Sequence, residues 1–296
     1  MISSGGTPPA EFPLDVDLAR RLLRDQHEDL AGLPIEEAAS GWDNRMFRLG
    51  TDLALRFPRR ALAAEWIDRE HIWLPRLAAG LTLRVPSPLR LGLPGHGYPW
   101  PWSVVPWIDG MPAGEHGVNA DEARPFAAFL HSLHRPAPAD APANPFRGVP
   151  LERRAGDVTA RMSRLRRITS LIGQDLEDLW SRALDAKGDP LRTWLHGDLH
   201  PGNVLVRAGA LAGVIDWGDL CAGDPATDLA AVWMLFDDVE VRAEILRGHL
   251  SLTEATLARA RGWAVFFGVV LLDTGLVDNE AHARIGERTL RRLLAD

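Results

Sequence analysis

The sequence predicts an α+β protein in which a five-stranded antiparallel sheet with helices precedes a mainly helical part. Short β-rich segments bounded by turn-forming residues occur before residue 109, whereas helical periodicity dominates after Asp121. The change falls at Asp109-Gly110-Met111-Pro112, a turn-rich hinge. We therefore predict a flexible tail over residues 1–13, an N-terminal lobe over 14–108 and a C-terminal lobe over 109–296.

Apolar spacing and turn residues define the elements of the first lobe. Asp15–Leu30 and Ala61–Leu77 repeat apolar residues at helical spacing. Strands are predicted where apolar or β-branched residues lie between turns: Ile35–Ala39, Arg45–Leu49, Leu53–Phe57, Leu89–Leu93 and Trp102–Ile108.

The second lobe is predicted to be helical around a compact insert of strands. Helices are expected over Ala123–His134, Glu152–Ile172 and Leu176–Ala186, and again from Pro225 to the C-terminus. The small strands of the insert are Trp194-Leu195-His196, Val204-Leu205-Val206 and Val214-Ile215-Asp216.

Composition restricts the classes of partner. The 296 residues carry a net charge of −7, which argues against nucleic acid because phosphate binding needs a basic face. The apolar run Trp263–Leu272 is too short to span a bilayer, so no membrane partner is expected. Cys221 is the single cysteine, and Met1–Pro13 lacks the features of a signal peptide. Both observations favour a reducing, cytoplasmic location.

The most informative segment is His196-Gly197-Asp198-Leu199-His200-Pro201-Gly202-Asn203. Phosphoryl transfer needs a carboxylate that orients the acceptor hydroxyl, and Asp198 is the candidate. A neutral oxygen, here that of Asn203, coordinates Mg²⁺ without adding charge repulsion. The alternative is a polar turn in which both side chains make only local hydrogen bonds.

A second segment, Val214-Ile215-Asp216-Trp217-Gly218-Asp219, places a carboxylate after an apolar stretch. Asp216 is therefore predicted to hold a hard cation against phosphate oxygens. Kinases pair a D-x-x-x-x-N loop with a later D-F-G magnesium site. Asp198, Asn203 and Asp216-Trp217-Gly218 reproduce that order.

These segments, together with Gly223-Asp224-Pro225-Ala226-Thr227-Asp228-Leu229-Ala230, resemble the aminoglycoside phosphotransferase family. The resemblance implies a two-lobed protein-kinase-like fold that uses ATP or GTP with Mg²⁺. It implies transfer of the γ-phosphoryl to a hydroxyl of a small molecule, such as an aminoglycoside, a macrolide, another antibiotic, or a metabolite like choline or homoserine. It also implies that Asp228 and His196 support the catalytic loop, while Asp224 reads as a helix cap before Pro225.

The sequence departs from the kinase pattern at the phosphate-binding lysine. The only lysine, Lys187, lies in the second lobe, whereas Arg56 occupies the expected position on the third strand. A guanidinium fork fits two phosphate oxygens, and a helix carboxylate is expected to hold it. Glu70 is the first candidate and Glu65 the second. The alternative for Arg56 is a solvated surface arginine.

Two further segments are predicted to contact the nucleotide. The turn Ser40-Gly41-Trp42-Asp43-Asn44 lies where a kinase places its phosphate-covering loop, so Ser40 and Asn44 are candidates. A plain hairpin turn is the alternative. Val105 and Trp107 precede the hinge, where backbone groups bind the base edge and Pro106 removes one donor.

The acceptor site is predicted from carboxylates of the second lobe. Asp219, Asp237 and Asp273 are candidates to bind the ammonium groups of an aminocyclitol, with helix caps and surface charges as the alternative. Two other functions remain open. A metal-dependent hydrolase would use the same carboxylates, and a pseudokinase would explain the missing lysine.

Overall fold

A computed structural model describes residues 8–188, 192–249 and 252–296, apart from the side chains of residues 39 and 40. The strands are β1 (Ile35–Ser40), β2 (Asn44–Leu49), β3 (Leu53–Pro58), β4 (Arg90–Gly92), β5 (Trp102–Pro106), β6 (Met111–Pro112), β7 (Thr193–Leu195), β8 (Val204–Arg207), β9 (Ala210–Val214) and β10 (Cys221–Gly223). The helices are α1 (Val16–Gln26), α2 (Ala61–Ala78), α3 (Ala113–His116), α4 (Ala123–Leu133), α5 (Ala155–Leu165), α6 (Gln174–Asp185), α7 (Ala226–Leu229), α8 (Ala231–Leu235), α9 (Val239–Arg247), α10 (Glu254–Asp278) and α11 (Glu280–Leu294).

The N-terminal part contains the predicted five-stranded antiparallel sheet, in the order β1-β2-β3-β5-β4. Side chains alternate between its two faces because successive residues of a strand point in opposite directions. Leu55 and Phe57 pack into a core with α1. Arg56, which lies between them in sequence, points to the opposite face of the sheet, towards Asp216 of the C-terminal part.

Two residues of the predicted tail, Glu11 and Phe12, contact the N-terminal part. Residues 1–7 lie outside the described part of the chain. The ring of Phe12 meets that of Tyr98 edge to face, and the N–H of Glu11 donates to the carbonyl of Arg59 at 2.9 Å. Phe12 therefore packs against the N-terminal core, while Glu11 is exposed. The predicted boundary at residue 109 stays a prediction.

The C-terminal core surrounds α10, which packs against α5, α6, α7 and α11. By length and composition alone this 25-residue helix is sufficient to cross a membrane. However, 67% of its most apolar stretch is buried inside the protein. Its apolar residues, including Trp263 and Phe267, therefore serve as the centre of the larger hydrophobic core.

Two predicted elements of this part were wrong at their ends. The strand that was expected over residues 214–216 ends at Val214, and Asp216 takes a left-handed conformation with φ 61°. The helix expected to run to Ile172 ends at Leu165. There Thr169 Oγ1 accepts the N–H of Leu171 at 3.2 Å, a local bond that favours a turn over helix.

The N-terminal core offers a direct test of packing. A Cβ at Gly92 would lie 1.9 Å from Cε2 of the buried Trp102. Gly92→Ala is therefore expected to lower the free energy of unfolding by about 1–3 kcal/mol, measured by urea titration. Gly32→Ala is the control, because a Cβ there has no neighbour within 4 Å. Equal stability of the two variants would contradict the described packing of Trp102.

Candidate active site

The loop between β7 and β8 is held by a buried carboxylate. Asp228, fully buried in α7, accepts the N–H of His196 at 2.7 Å and that of Gly197 at 2.8 Å. Gly197 has φ +85°, and a Cβ there would lie 2.7 Å from the carbonyl oxygen of Asp219. The backbone of this loop is thus fixed at its first two residues.

His196 joins the same loop to the end of β9. Its Nε2 lies 3.0 Å from the carbonyl oxygen of Ile215, and its Nδ1 accepts the N–H of Asp198 at 3.2 Å. With Nε2 as the donor and Nδ1 as the acceptor, the ring satisfies both contacts. The two segments found in the sequence therefore meet through one buried histidine.

Asp198 lies between Arg147, His200 and Asn203, and its two oxygens have different contacts. Oδ1 accepts from Nη2 of Arg147 at 2.9 Å. Oδ2 has only longer contacts, 3.5 Å to Nε2 of His200 and 3.4 Å to Nδ2 of Asn203. Burial opposes ionisation, but Arg147 and His200 outweigh it and hold the pKa of Asp198 well below its ordinary value. Asp198 is therefore an ionised carboxylate.

Strand pairing brings Asn203 and Asp216 together. Antiparallel β8 and β9 pair Val204 with Val214, and the N–H of Ile215 donates to the carbonyl of Asn203 at 2.9 Å. Because Asp216 follows Ile215, its carboxylate lies at the same end of the hairpin. The left-handed backbone of Asp216 is one that Asp tolerates better than most residues, and such conformations recur at functional sites.

The donor set of this hairpin fits Mg²⁺. Nδ2 of Asn203 donates to the carbonyl of Asp198 at 2.9 Å, so the amide oxygen is oriented as the free acceptor. The Asp216 side chain is 42% exposed and offers a carboxylate. Mg²⁺ prefers hard oxygen ligands and combines one or two protein groups with phosphate oxygens. Within the described residues no group of three or more His, Cys, Asp or Glu gathers around a metal position.

Arg56 crosses from the sheet to this hairpin. It is 7% exposed and is ion-paired with Glu70 of α2, and its Nη2 lies 3.1 Å from Oδ1 of Asp216. Burial disfavours the charge, but Glu70 and Asp216 overcome it and raise the pKa of Arg56. The expected partner Glu70 is thus found beside Arg56, and the alternative of a solvated arginine is wrong.

The turn between β1 and β2 is a closed hairpin. The N–H of Gly41 donates to the carbonyl of Asn44, and Nη1 of Arg59 donates to the carbonyl of Gly41 at 2.7 Å. With its amide oxygen turned towards Arg56, Asn44 accepts from Nη2 at 2.9 Å and from Nε at 3.2 Å. Asn44 therefore supports Arg56. The predicted role of Ser40 concerns a side chain outside the described residues.

The predicted base-binding residues lie along β5 and the hinge. Val105 of β5 lies directly opposite Ala54 of β3. Because Ala54 is two residues before Arg56 on the same strand, the side chains of Val105 and Arg56 lie on the same face of the sheet. The N–H of Trp107 donates to the carbonyl of Asp52 at 2.7 Å and is not free for a base. Its ring lies under the guanidinium of Arg48, 5.0 Å from the ring centroid.

The three carboxylates predicted for the acceptor already have partners. Asp219 lies beside Gly197 of the loop between β7 and β8 and accepts from Nδ2 of Asn144 at 2.6 Å. Asp273 is paired with Arg161 and Arg164, and Asp237 with Arg292. The structure thus brings Asp219 to the site as a bonded group. Asp273 and Asp237 are instead neutralised by ion pairs with arginines.

Arg147 is the residue that the sequence interpretation missed. It connects the loop before α5 to Asp198, and its Nε lies 3.7 Å from Oδ2 of Asp219. The sequence interpretation assigned no site to residues 135–150, between the helices predicted over Ala123–His134 and Glu152–Ile172. The available signal was that Arg147 is the only charged residue between Asp140 and Glu152.

The sequence profile of the phosphotransferase enzyme family, APH, matches residues 34–263. The chain belongs to this family. A viomycin phosphotransferase from Streptomyces vinaceus is 30% identical over 235 residues, covering 73% of this chain and 77% of that protein. An uncharacterized protein of Bacillus subtilis, YcbJ, is 26% identical over 216 residues, covering 64% and 65%. The protein is accordingly a small-molecule phosphotransferase.

Solved structures share its fold. The GDP complex of an aminoglycoside 2′-phosphotransferase-IIIa superposes with a TM-score of 0.67 at 17% identity, covering 95% of this chain and 99% of that one. A macrolide 2′-phosphotransferase from Brachybacterium faecium gives 0.59 at 20% identity, covering 94% and 98%. At these identities the likeness establishes the two-part α+β architecture of the phosphotransferases, as the resemblance implied.

The buried anchor of the loop can be tested by a change of one atom. Asp228→Asn keeps the size but replaces one acceptor oxygen with a donor that faces an N–H. We expect the free energy of unfolding to fall by about 1–3 kcal/mol in urea titrations. Asp140→Asn, at an exposed position, is the matched control. If both variants unfold alike, the two hydrogen bonds of Asp228 are not important for stability.

Proposed function

We propose that the protein transfers the γ-phosphoryl group of ATP or GTP to a hydroxyl of a small molecule, with Mg²⁺ as cofactor. The observation that supports this most strongly is the convergence of Asp198, Asn203 and Asp216 opposite the buried cation Arg56. Phosphoryl transfer depends on positioning and on charge stabilisation, and this cluster supplies groups for both.

The proposed acceptor is an antibiotic. The curated relative is named a viomycin phosphotransferase, and structures of the same fold are aminoglycoside and macrolide phosphotransferases. The resemblance suggested an aminoglycoside, with a macrolide, a nucleoside antibiotic or a metabolite such as choline or homoserine as alternatives. The surroundings of Asp198 bear on the choice among these classes. A cytoplasmic location is proposed with it, because ATP and GTP are available there.

Asp198 is the proposed catalytic carboxylate. Oδ1 is held by Arg147, whereas Oδ2 has only contacts of 3.4 Å and longer, so Oδ2 is the oxygen that accepts a hydrogen bond from the acceptor hydroxyl. This bond orients the hydroxyl oxygen for in-line attack, and its proton passes to Oδ2 as the new O–P bond forms and the bond to the leaving nucleoside diphosphate breaks.

Arg56, Asn203 and Asp216 are the residues proposed to bind the nucleotide and its metal ion. The fork of Arg56, fixed by Glu70, binds phosphate oxygens of the nucleotide in place of a lysine. Asn203 and Asp216 are the residues that hold Mg²⁺, which supplies neutralisation of phosphate charge when bound. His196 and Asp228 keep the loop backbone in register with these ligands.

Replacing Asp198 and replacing Asp216 are expected to change the kinetics in different ways. Asp198→Asn lowers kcat by about 10²–10⁴-fold with little change in nucleotide affinity, because it removes the proton acceptor. Asp216→Asn additionally raises the Mg²⁺ concentration needed for half-maximal activity. The measurement is formation of the phosphorylated acceptor during Mg²⁺ titrations, with nucleotide binding followed in parallel. Product formation by Asp198→Asn near the wild-type rate would refute the catalytic assignment, and release of free phosphate alone would indicate a hydrolase.

Arg56 can be tested through the kinetics of the nucleotide. Arg56→Ala is expected to raise the nucleotide KM and lower kcat, reducing kcat/KM by about 10- to 1000-fold. Arg56→Lys recovers part of this loss, because a point charge cannot reproduce the planar fork. Arg59→Ala is the comparison variant, since that guanidinium bonds only the carbonyl of Gly41 in the described contacts. Normal nucleotide kinetics in Arg56→Ala would mean that another cation binds the phosphates.

A further inference from the structure

Arg147 lies directly beside Asp198, the carboxylate proposed to receive the acceptor hydroxyl. Its Nη2 lies 2.9 Å from Oδ1 of Asp198, so the guanidinium lies within a few ångströms of the position where the hydroxyl binds. A cation at this point favours an acceptor with an electron-rich group next to the hydroxyl. It disfavours an acceptor whose ammonium group lies there.

The guanidinium is fixed in place on one face. Its central carbon lies 5.6 Å from the ring centroid of Phe266 and 5.2 Å from that of Phe267. Its backbone N–H donates to Oδ1 of Asn144 at 3.2 Å, which fixes the loop that carries it. Rigid placement reduces the conformational entropy lost when a ligand binds, so this arginine is suited to recognition.

Arg147 has donors to spare. Of its five N–H groups, the described hydrogen bonds use one on Nη2, and Nε has no hydrogen-bond partner although it is buried. The distance from Nε to Asp219, 3.7 Å, is too long for a good hydrogen bond. The side chain is 18% exposed, so a ligand oxygen can reach the fork beside Asp198. Nη1 makes none of the described hydrogen bonds and is the end of the fork that such an oxygen can reach, whereas Nε is buried and faces Asp219.

Further arginines near Arg147 also favour an acceptor with an electron-rich oxygen over one with an ammonium group. Arg154 lies over Phe266 at 4.9 Å and begins a row of ion pairs with Asp157, Arg161, Asp273 and Arg164. The row has three arginines and two aspartates, a surplus of one positive charge, while Arg147 is itself balanced by Asp198 and Asp219. Asp273, predicted to bind an ammonium group, is already neutralised within the row.

We propose that Arg147 is a specificity-determining residue, which binds a carboxylate or amide carbonyl oxygen located next to the hydroxyl that Asp198 activates. This inference rests on the proposed function and names its substrate class. The acceptor is a hydroxyl compound with such an oxygen, for example a hydroxy amino acid or a hydroxyl-bearing peptide. A polyamine without carbonyl groups is a poorer acceptor.

The test compares acceptors that differ in this oxygen. Homoserine supplies the carboxylate, homoserine amide and the cyclic peptide viomycin supply amide carbonyls, and 3-aminopropan-1-ol and kanamycin supply neither. Phosphorylated product is measured for wild type, Arg147→Ala and Arg147→Lys. Arg124→Ala is the matched control, because its side chain is 88% exposed and pairs with Glu244 on another face.

The expected result is a preference of the wild type for one of the oxygen-bearing arms. Arg147→Ala then loses about 10- to 100-fold in kcat/KM for that acceptor, mainly through its KM, while the nucleotide KM stays within about twofold. Arg147→Lys restores part of the preference, and Arg124→Ala behaves as wild type. A merely structural role would instead alter the nucleotide KM and the thermal stability as well. If Arg147→Ala does not fold, the acceptor preference of Arg147→Lys decides the question.

Two outcomes overturn the inference. One is that kanamycin or 3-aminopropan-1-ol is used as well as the oxygen-bearing acceptors. The other is that replacement of Arg147 lowers the activity towards all acceptors equally. A wild-type enzyme that phosphorylates none of the five compounds would count against the proposed function itself, and the inference falls with it.

Discussion

The site depends on one buried carboxylate. Asp228 is fully buried and accepts two consecutive backbone N–H groups at the start of the catalytic loop. Buried oxygen acceptors without donors would be unfavourable, so the two hydrogen bonds fix the loop relative to α7. The same helix begins beside Asp224, whose Oδ1 accepts the N–H of Ala226 at 3.0 Å and whose Oδ2 lies 2.6 Å from Nε of Arg259 in α10. The loop is thereby attached to the central helix of the core.

A second buried contact connects the two parts of the molecule. Arg56 faces away from the core of the sheet because Leu55 and Phe57 occupy the other face. Glu70 and Asp216 hold its charge from two different elements. Backbone hydrogen bonds fix the loop between β7 and β8, and the charged side chain of Arg56 connects Asp216, after β9, to the five-stranded sheet. Removing one partner of such a buried pair leaves an uncompensated charge, so the pair favours a single arrangement of cleft and sheet.

The carboxylates around Asp198 are paired with arginines, although the chain as a whole has an excess of acidic residues. The chain is acidic overall, yet the carboxylates near the loop are neutralised by arginines. Asp198 and Asp219 share Arg147, but their pKa values move apart. That of Asp198 falls, whereas burial raises that of Asp219, with Arg147 opposing and Asp198 adding to the rise. Asp198 is therefore kept ionised, with Oδ2 as a hydrogen-bond acceptor, whereas the ionised form of Asp219 is disfavoured.

Much of the site was predictable because its parts are close in sequence. Asp198, Asn203 and Asp216 fall within one segment, and a hairpin between them suffices to bring their side chains together. Arg56 and Glu70 were predictable from strand alternation followed by a helix, because those periodicities determine which way each side chain points. The five strands were predicted for the same reason, with errors of a few residues at their ends.

The sequence by itself determined the order of the elements, the sheet and the identity of the loop residues, because each follows from local periodicity or spacing. Only the tertiary structure decided that Arg147, 51 positions before Asp198, holds that carboxylate. It also decided that Asp273 pairs with two arginines of α5. Such contacts join irregular loops and separate helices, whose relative placement follows from the packing of the whole core around α10 and leaves no periodic trace in the chain.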